Sequence, residues 1–143
     1  MSEPAWWRSK PLQLVVLGNL VLAALWAGPD LVAALYRARN ERTARKVLRA
    51  IVEAQAAHVR AKGQPAGLFA LHEAGLLHVW YADGREHGYA MLVEVDGPRW
   101  WATATPLTLE NGDRAYFVDE TGVLRERWPA ARRPGPGDSP IGR

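Results

Sequence analysis

Histidines are the first side chains in this chain that could carry chemistry. The four of them, His58, His72, His78 and His87, are widely spaced, form no His-Glu-x-x-His pattern, and have no cysteine to join them, because the chain contains none. A zinc site needs closely spaced ligands of these types. Ordinary surface or helix-face positions therefore explain these histidines better than a metal site does.

Carboxylates fall mainly at predicted turns, where such side chains usually bond to the local backbone. They are Asp83, Glu86, Asp96, Asp113, Asp119 and Glu120. The sequence also has no glycine-rich phosphate loop after a strand and no Gly-x-Ser-x-Gly elbow. We therefore predict a protein that is not an enzyme and that uses no cofactor, metal or small-molecule substrate, and an enzyme is the last alternative.

Arginines give the chain a mild net charge of +3, and four of them follow the first apolar stretch. Arg37, Arg39, Arg42 and Arg45 could contact nucleic acid or anionic headgroups, since clustered positive charge attracts polyanions. A solvated helix face accounts for the same residues and is the commoner case. We retain the four arginines as one part of a predicted partner surface, with nucleic acid as a weakly supported partner.

Two adjacent tryptophans form the other part of that surface. Trp100 and Trp101 are neighbours in a predicted strand and must point to opposite faces of a sheet. One should pack against a helix, and the other should meet a partner or lie under the loop at 106–111. Large aromatic side chains dominate interface energetics, which is why the second tryptophan is a candidate contact.

The elements that position these residues begin with a lead-in at residues 1–10 and an apolar run at 11–36. A spanning helix needs about 20 apolar residues, and this run reaches that length only across Gly28, Pro29 and Asp30. We predict a membrane anchor and assembly helix, while a buried core helix and a cleaved secretory signal are alternatives. The residues predicted to form this helix are Leu12, Leu14, Val15, Val16, Leu17, Leu20, Val21, Leu22, Leu25, Trp26, Pro29, Leu31 and Leu35.

The rest of the chain predicts an α+β domain at residues 37–128. The helix should continue to Lys62 and end at Gly63, with one face formed by Ala44, Val47, Leu48, Ile51, Ala54, Gln55 and His58. Alternating residues on both sides of Asp96-Gly97 predict a hairpin, and a second follows around 115–124. We predict about four antiparallel strands packed against the long N-terminal hydrophobic helix, followed by a disordered tail at 129–143.

This order of elements resembles the type IV pilin and type II secretion pseudopilin family. The resemblance lies in Gly-Pro-Asp-Leu-Val at 28–32, Arg-Ala-Arg-Asn at 37–40 with Ala44, Gly-Tyr-Ala-Met-Leu at 88–92, Trp-Trp-Ala-Thr-Ala-Thr-Pro at 100–106, and the stretch at 114–125. The family's prepilin cleavage motif, a glycine followed by a phenylalanine and a glutamate, is absent. The likeness covers most of residues 11–127.

The resemblance implies a pilin-like structural subunit of a type IV pilus, a type II secretion system or a DNA-uptake machine. Its partners would be the membrane and other pilin-like subunits or their machinery. It implies a single-pass inner-membrane location, with the C-terminal domain facing outward or built into a pilus, although the basic residues after the span favour the opposite orientation. An unprocessed single-pass accessory protein with a pilin-like domain and an extracellular DNA-binding receptor are the alternatives.

Overall fold

The computed structural model describes residues 10–78, 81 and 84–141, with the backbone alone at 10–14 and 20–27. The lead-in before residue 10 lies outside the described residues. The chain divides into two compact units between Leu35 and Tyr36. The predicted domains at 11–36 and 37–128 have nearly the same boundary.

A single long helix, α1, runs from Lys10 to Lys62 and contains Pro29. It ends where the sequence predicts. Gly63 has a φ of +78°, and its N–H donates to the carbonyl oxygen of Val59 at 2.8 Å. A left-handed residue after the last turn satisfies a free helix carbonyl, and glycine adopts that conformation without a Cβ clash.

The prediction of a single-pass membrane anchor at 11–36 is wrong for the residues that the structure describes. Within them, no helix combines the length and the apolar character needed to cross a membrane. In the sequence, Gln13, Asn19 and Asp30 interrupt the run at 11–36, so it holds no unbroken stretch of the roughly 20 apolar residues that a span requires. The predicted inner-membrane location with an outward-facing domain is overturned with it.

Among the described residues, the globular unit contains a second helix and six strands. Helix α2 covers Leu68–Glu73. The strands are β1 Arg85–Glu86, β2 Tyr89–Asp96, β3 Arg99–Pro106, β4 Ala115–Asp119, β5 Arg125–Arg127 and β6 Ser139–Pro140. They form one antiparallel sheet in the order β1-β2-β3-β4-β5-β6. The α+β class is confirmed, but the sheet has two strands more than the predicted four.

The predicted hairpin is formed by β2 and β3, with Asp96 opposite Arg99. The two turn residues are therefore Gly97 and Pro98. Gly97 has a φ of +56°, and a proline has its φ fixed near −65°. A positive φ followed by a negative one is what a type II′ turn requires, and such turns match the twist of the paired strands.

One face of the sheet packs against the second half of α1. The helix contributes Ala44, Val47, Leu48, Ile51 and Ala54, and the sheet contributes Tyr89, Met91, Trp100, Ala102, Ala104, Tyr116 and Val118. All of these side chains are buried. The residues on both elements follow the spacing of their own secondary structure, 3.6 in the helix and 2 in the strands. This layer is the hydrophobic core of the unit.

The loop between β3 and β4 is fastened to α1 by polar contacts. The Asn40 side chain donates to the carbonyl of Asn111 at 3.0 Å, and the N–H of Asp113 donates to a Glu41 carboxylate oxygen at 3.1 Å. The hydroxyl of Tyr89 donates to the carbonyl of Arg114 at 2.8 Å. These bonds satisfy backbone groups that a loop of this length would otherwise leave unpaired.

The segment after β5 differs from the predicted disordered tail. Residues 129–141, here called the C-terminal strap, return to the sheet, where β6 pairs with β5. The N–H of Ile141 donates to the carbonyl of Leu124 at 2.9 Å, and Pro134 is buried. Long-range contacts therefore offset the ordering entropy that the strap's own composition cannot.

Candidate assembly interface

Apolar side chains of α1 lie exposed in the N-terminal unit. Val15, Leu17, Leu31, Val32 and Leu35 each leave half or more of their surface in solvent, up to 62% at Leu35. Val16 is also exposed, at 38%, as is Pro29. The side chains of the other residues predicted for this interface, Leu12, Leu14, Leu20, Val21, Leu22, Leu25 and Trp26, lie outside the described residues. An apolar group left in water favours association that covers it.

Asn19, a polar residue in this part of α1, makes a hydrogen bond within the helix. The side-chain N–H of Asn19 donates to the carbonyl of Val15, one turn earlier, at 2.8 Å. Because one N–H of the amide is already bonded to the backbone, Asn19 needs fewer hydrogen bonds to water or to another molecule. Asn19 is therefore compatible with an apolar contact surface around it.

The four predicted arginines differ in exposure. Arg39 and Arg42 are exposed, whereas Arg37 and Arg45 are partly buried. The guanidinium carbon of Arg45 lies 6.0 Å from the centre of the Tyr116 ring, and its Nε is buried without a hydrogen-bond partner. Arg45 thus packs on the domain's own aromatic core through a cation–π contact.

Trp100 and Trp101 point to opposite faces of the sheet, as the strand period predicts. Trp100 is 5% exposed and belongs to the core under α1. Trp101 is half-buried, and its Nε1–H donates to a Glu94 carboxylate oxygen at 2.5 Å. The second tryptophan is therefore neither free nor covered by the loop at 106–111. It lies beside the C-terminal strap.

The second face of the sheet forms a groove, here called the strap seat. Strand pairing sets Glu94 opposite Trp101, Trp101 opposite Asp119, and Phe117 between Thr103 and Arg125. Residues that face each other across strands point to the same side of a sheet. The seat therefore combines two aromatic rings in its centre with carboxylates at one end and arginines at the other.

The C-terminal strap crosses this seat and is held at both ends by charge. Arg133 forms an ion pair with Glu94 at the β2 end. At the β5 end, Asp138 forms an ion pair with Arg127, whose Nε–H donates to Oδ2 at 3.0 Å. The N–H of Gly135 donates to the same oxygen at 2.7 Å, and Arg125 donates to the Asp138 carbonyl at 3.2 Å. Charge-assisted bonds of this kind are the stronger class of hydrogen bond.

Between its two charged ends the strap lies beside the aromatic rings without filling the space. Pro134, Gly135 and Pro136 form one wall of a pocket of about 420 Å³. Arg99, Trp101, Phe117, Asp119 and Glu120 form the rest of its lining. An aromatic floor beside a proline segment is the arrangement that proline-rich peptides use in recognition.

The histidines have local partners. A ring nitrogen of His58 lies 2.8 Å from the carbonyl oxygen of Gln64, and one of His72 lies 3.0 Å from that of Leu77. His87 lies 3.2 Å from Glu86 in the turn between β1 and β2. Across residues 10–78, 81 and 84–141, no group of three or more metal-binding side chains comes together.

Sequence periodicity does not identify two of the most exposed apolar side chains among the described residues of the globular unit. Trp128 is 72% exposed between β5 and the strap, and Leu109 is 71% exposed in the loop between β3 and β4. Each is a single apolar residue next to prolines or turn residues, where periodicity carries no information. Only the folded position shows that they remain uncovered.

Comparison of the chain with protein families, with curated proteins and with solved structures finds no match in any of the three. The resemblance to pilins and pseudopilins therefore stays a prediction from the sequence.

Proposed function

We propose that this chain is a pilin-like structural subunit, without catalytic activity, which assembles through its N-terminal helix. The assembly would be of the kind found in type IV pili, type II secretion systems or DNA-uptake machines. The observation that carries the proposal is the exposure of Val15, Leu17, Leu31, Val32 and Leu35 on α1. The sequence resemblance at 28–40 and 88–125 supports the choice of family.

The exposed leucines are spaced so that one neighbouring helix could cover them. Leu31 and Leu35 are one turn apart and lie on the same side of α1. Burying an exposed leucine side chain contributes about 1.5–3 kcal/mol. Between identical helices a contact of this kind repeats at every interface, because each further subunit presents the same residues.

The core of the globular unit supports the same reading. The buried layer between α1 and the sheet uses helix residues from Ala44 onward. The described apolar side chains of α1 up to Leu35 are not among the residues of that core. A side chain that is both apolar and unused by its own domain is a candidate for contact with another molecule.

Site-specific photo-crosslinking tests this function. A photoreactive amino acid at Leu31 of the full chain, in the cells that naturally make it, should give a ladder of crosslinked multimers of this chain. Leu35→Glu should reduce the ladder at least about tenfold, because it places a charge in an apolar contact and removes a buried leucine.

Ala33→Glu is the matched control. Ala33 is exposed and lies about half a turn away from Leu31 and Leu35, so the same new charge falls on the other side of the helix. The ladder should persist in this variant. A Leu35→Glu protein that crosslinks as well as the unmodified chain would contradict the proposed assembly through α1.

A further inference from the structure

We propose that the strap seat is a docking site for the C-terminal strap of a second copy of this chain. In the structure, the seat is occupied by the chain's own residues 129–141. Exchange of the strap between two copies would preserve its contacts with the seat and join the two sheets. The exchanged bonds would be Arg133 with Glu94 and Asp138 with Arg127, now formed between molecules.

Charge complementarity identifies the occupant. The seat presents Glu94 at one end and Arg127 at the other, and the strap presents Arg133 and Asp138 in the matching order. A segment with the opposite order of charges would meet repulsion at both ends. The second copy carries the same strap and therefore fits the seat without further adjustment.

The strap is weakly held at its β2 end. Arg133 and Glu94 keep 58% and 35% of their side chains exposed, and β6 has two residues. Exposed ion pairs contribute little to stability, and segments with few buried apolar contacts open at low free energy. The pocket beside Pro134 shows that the strap does not fill its seat, so release loses the packing of buried Pro134 and of Ile141 against the core but no continuous buried face.

The connection to β5 allows the segment to leave as a unit. The strap begins at Pro129, which one residue, Trp128, separates from the end of β5, and the N–H of Ala130 donates to the carbonyl of Asp113 at 3.0 Å. A short hinge next to a detachable element is the usual setting for exchange between identical subunits. Residues 128–132 are that hinge here.

This contact goes beyond the proposed function and does not depend on it. The seat and the strap both lie within residues 36–143, and the exposed leucines of α1 take no part in either. Loss of crosslinking through Leu31 and loss of strap exchange are therefore separate results.

A charge-swap experiment tests the exchange with two variants of the full chain. Glu94→Arg gives a positive seat and a positive strap, and Arg133→Glu gives a negative seat and a negative strap. Each variant repels its own strap, both within one molecule and between identical copies. A mixture of the two restores attraction at both seats, but only between molecules.

We expect native mass spectrometry of the equimolar mixture to show a heterodimer. It should associate at least about tenfold more tightly than either variant alone, since two exposed ion pairs replace two repulsions. Hydrogen exchange at the N–H groups of Gly135 and Ile141 should be faster in each variant alone than in the unmodified chain. It should slow again in the mixture. The double variant Glu94→Arg/Arg133→Glu restores the attraction within one molecule, so its Gly135 and Ile141 N–H groups should be protected from exchange without a second variant.

Arg132→Glu provides the control, since Arg132 is exposed and no ion pair of its side chain is found in the described part of the chain. Mixed with Glu94→Arg, it makes the same change in net charge and should give no heterodimer. A mixture of Glu94→Arg and Arg133→Glu that remains monomeric, with fast exchange at Gly135 and Ile141, would overturn the proposal. So would equal heterodimer formation with Arg132→Glu, or unchanged protection in both single variants.

Discussion

Gln55 shows how a single polar side chain holds the turn after α1 in place. It is fully buried, its amide N–H donates to the carbonyl of Ala66 at 2.6 Å, and its amide oxygen accepts from the N–H of Ala66 at 3.0 Å. The Gln55 side chain thus bonds both backbone polar groups of Ala66, as a neighbouring strand would do in a sheet. A buried backbone group without such a partner costs about 1–3 kcal/mol.

Replacing Gln55 by alanine should therefore destabilise the globular unit by about 2–5 kcal/mol, because both polar groups of Ala66 lose their partner. Urea unfolding followed by tryptophan fluorescence measures the change. Glu53→Ala, at an exposed position of the same helix, should change stability by less than about 0.5 kcal/mol. Equal stabilities of the two variants would show that water satisfies Ala66 as well as Gln55 does.

The strap illustrates how one element depends on one carboxylate. Burial by itself would raise the pKa of Asp138. The hydrogen bonds from Arg127 and the Gly135 N–H, with the charges of Arg127 and Arg125, outweigh it and lower the pKa below its usual value. A carboxylate whose pKa is lowered in the folded state stabilises the fold above its unfolded pKa, about 3.9. That contribution is lost as the pH falls through the folded pKa.

We therefore expect the strap to loosen in acid before the core does. Amide chemical shifts of Gly135 and Ile141, followed by NMR, should change together as the pH is lowered below about 4, while those of Ala102 stay constant. In Asp138→Asn the two strap amides should already have the loosened shifts at pH 7 and should not titrate. Identical titration in the unmodified chain and in Asp138→Asn would assign the transition to another group.

The sequence predicts the regular elements well and the strap not at all. The face of α1 and the hairpin of β2 and β3 are long enough for periodicity to define them, and Asp96-Gly97-Pro98 marks the turn between them. β1 and β6 have two residues each, which is too few to show a period. The strap is ordered by ion pairs to residues more than ten positions away, which its composition cannot reveal.

The candidate interface was predictable to a similar extent. The sequence assigns Trp100 and Trp101 to opposite faces, because alternation follows from strand geometry. It cannot say what covers each face, since that depends on which distant segment returns to it. Arg45 is a similar case, because its place over Tyr116 depends on helix–sheet packing and not on its spacing from Arg42.

At the scale of the whole molecule, the core of the globular unit and the exposed apolar residues of the N-terminal unit occupy different parts of the chain. The helix residues of the core begin at Ala44, and the chain divides between Leu35 and Tyr36. If the residues before this boundary serve contact with other molecules, the remainder must fold without them. Independent folding of a domain requires its own buried core, which residues 36–143 contain.

A fragment of residues 36–143 should therefore unfold cooperatively, with a midpoint temperature within about 5 °C of the midpoint for the same unit in the full chain. Circular dichroism at increasing temperature measures both. A fragment of residues 50–143 is the matched control, because it lacks Ala44, Val47 and Leu48, which are buried against the sheet. Each large core side chain removed costs about 2–5 kcal/mol, so this shorter fragment should not fold at 25 °C. Failure of the 36–143 fragment to fold would show that residues before Tyr36 support the globular unit, and it would remove the argument that they are free for assembly.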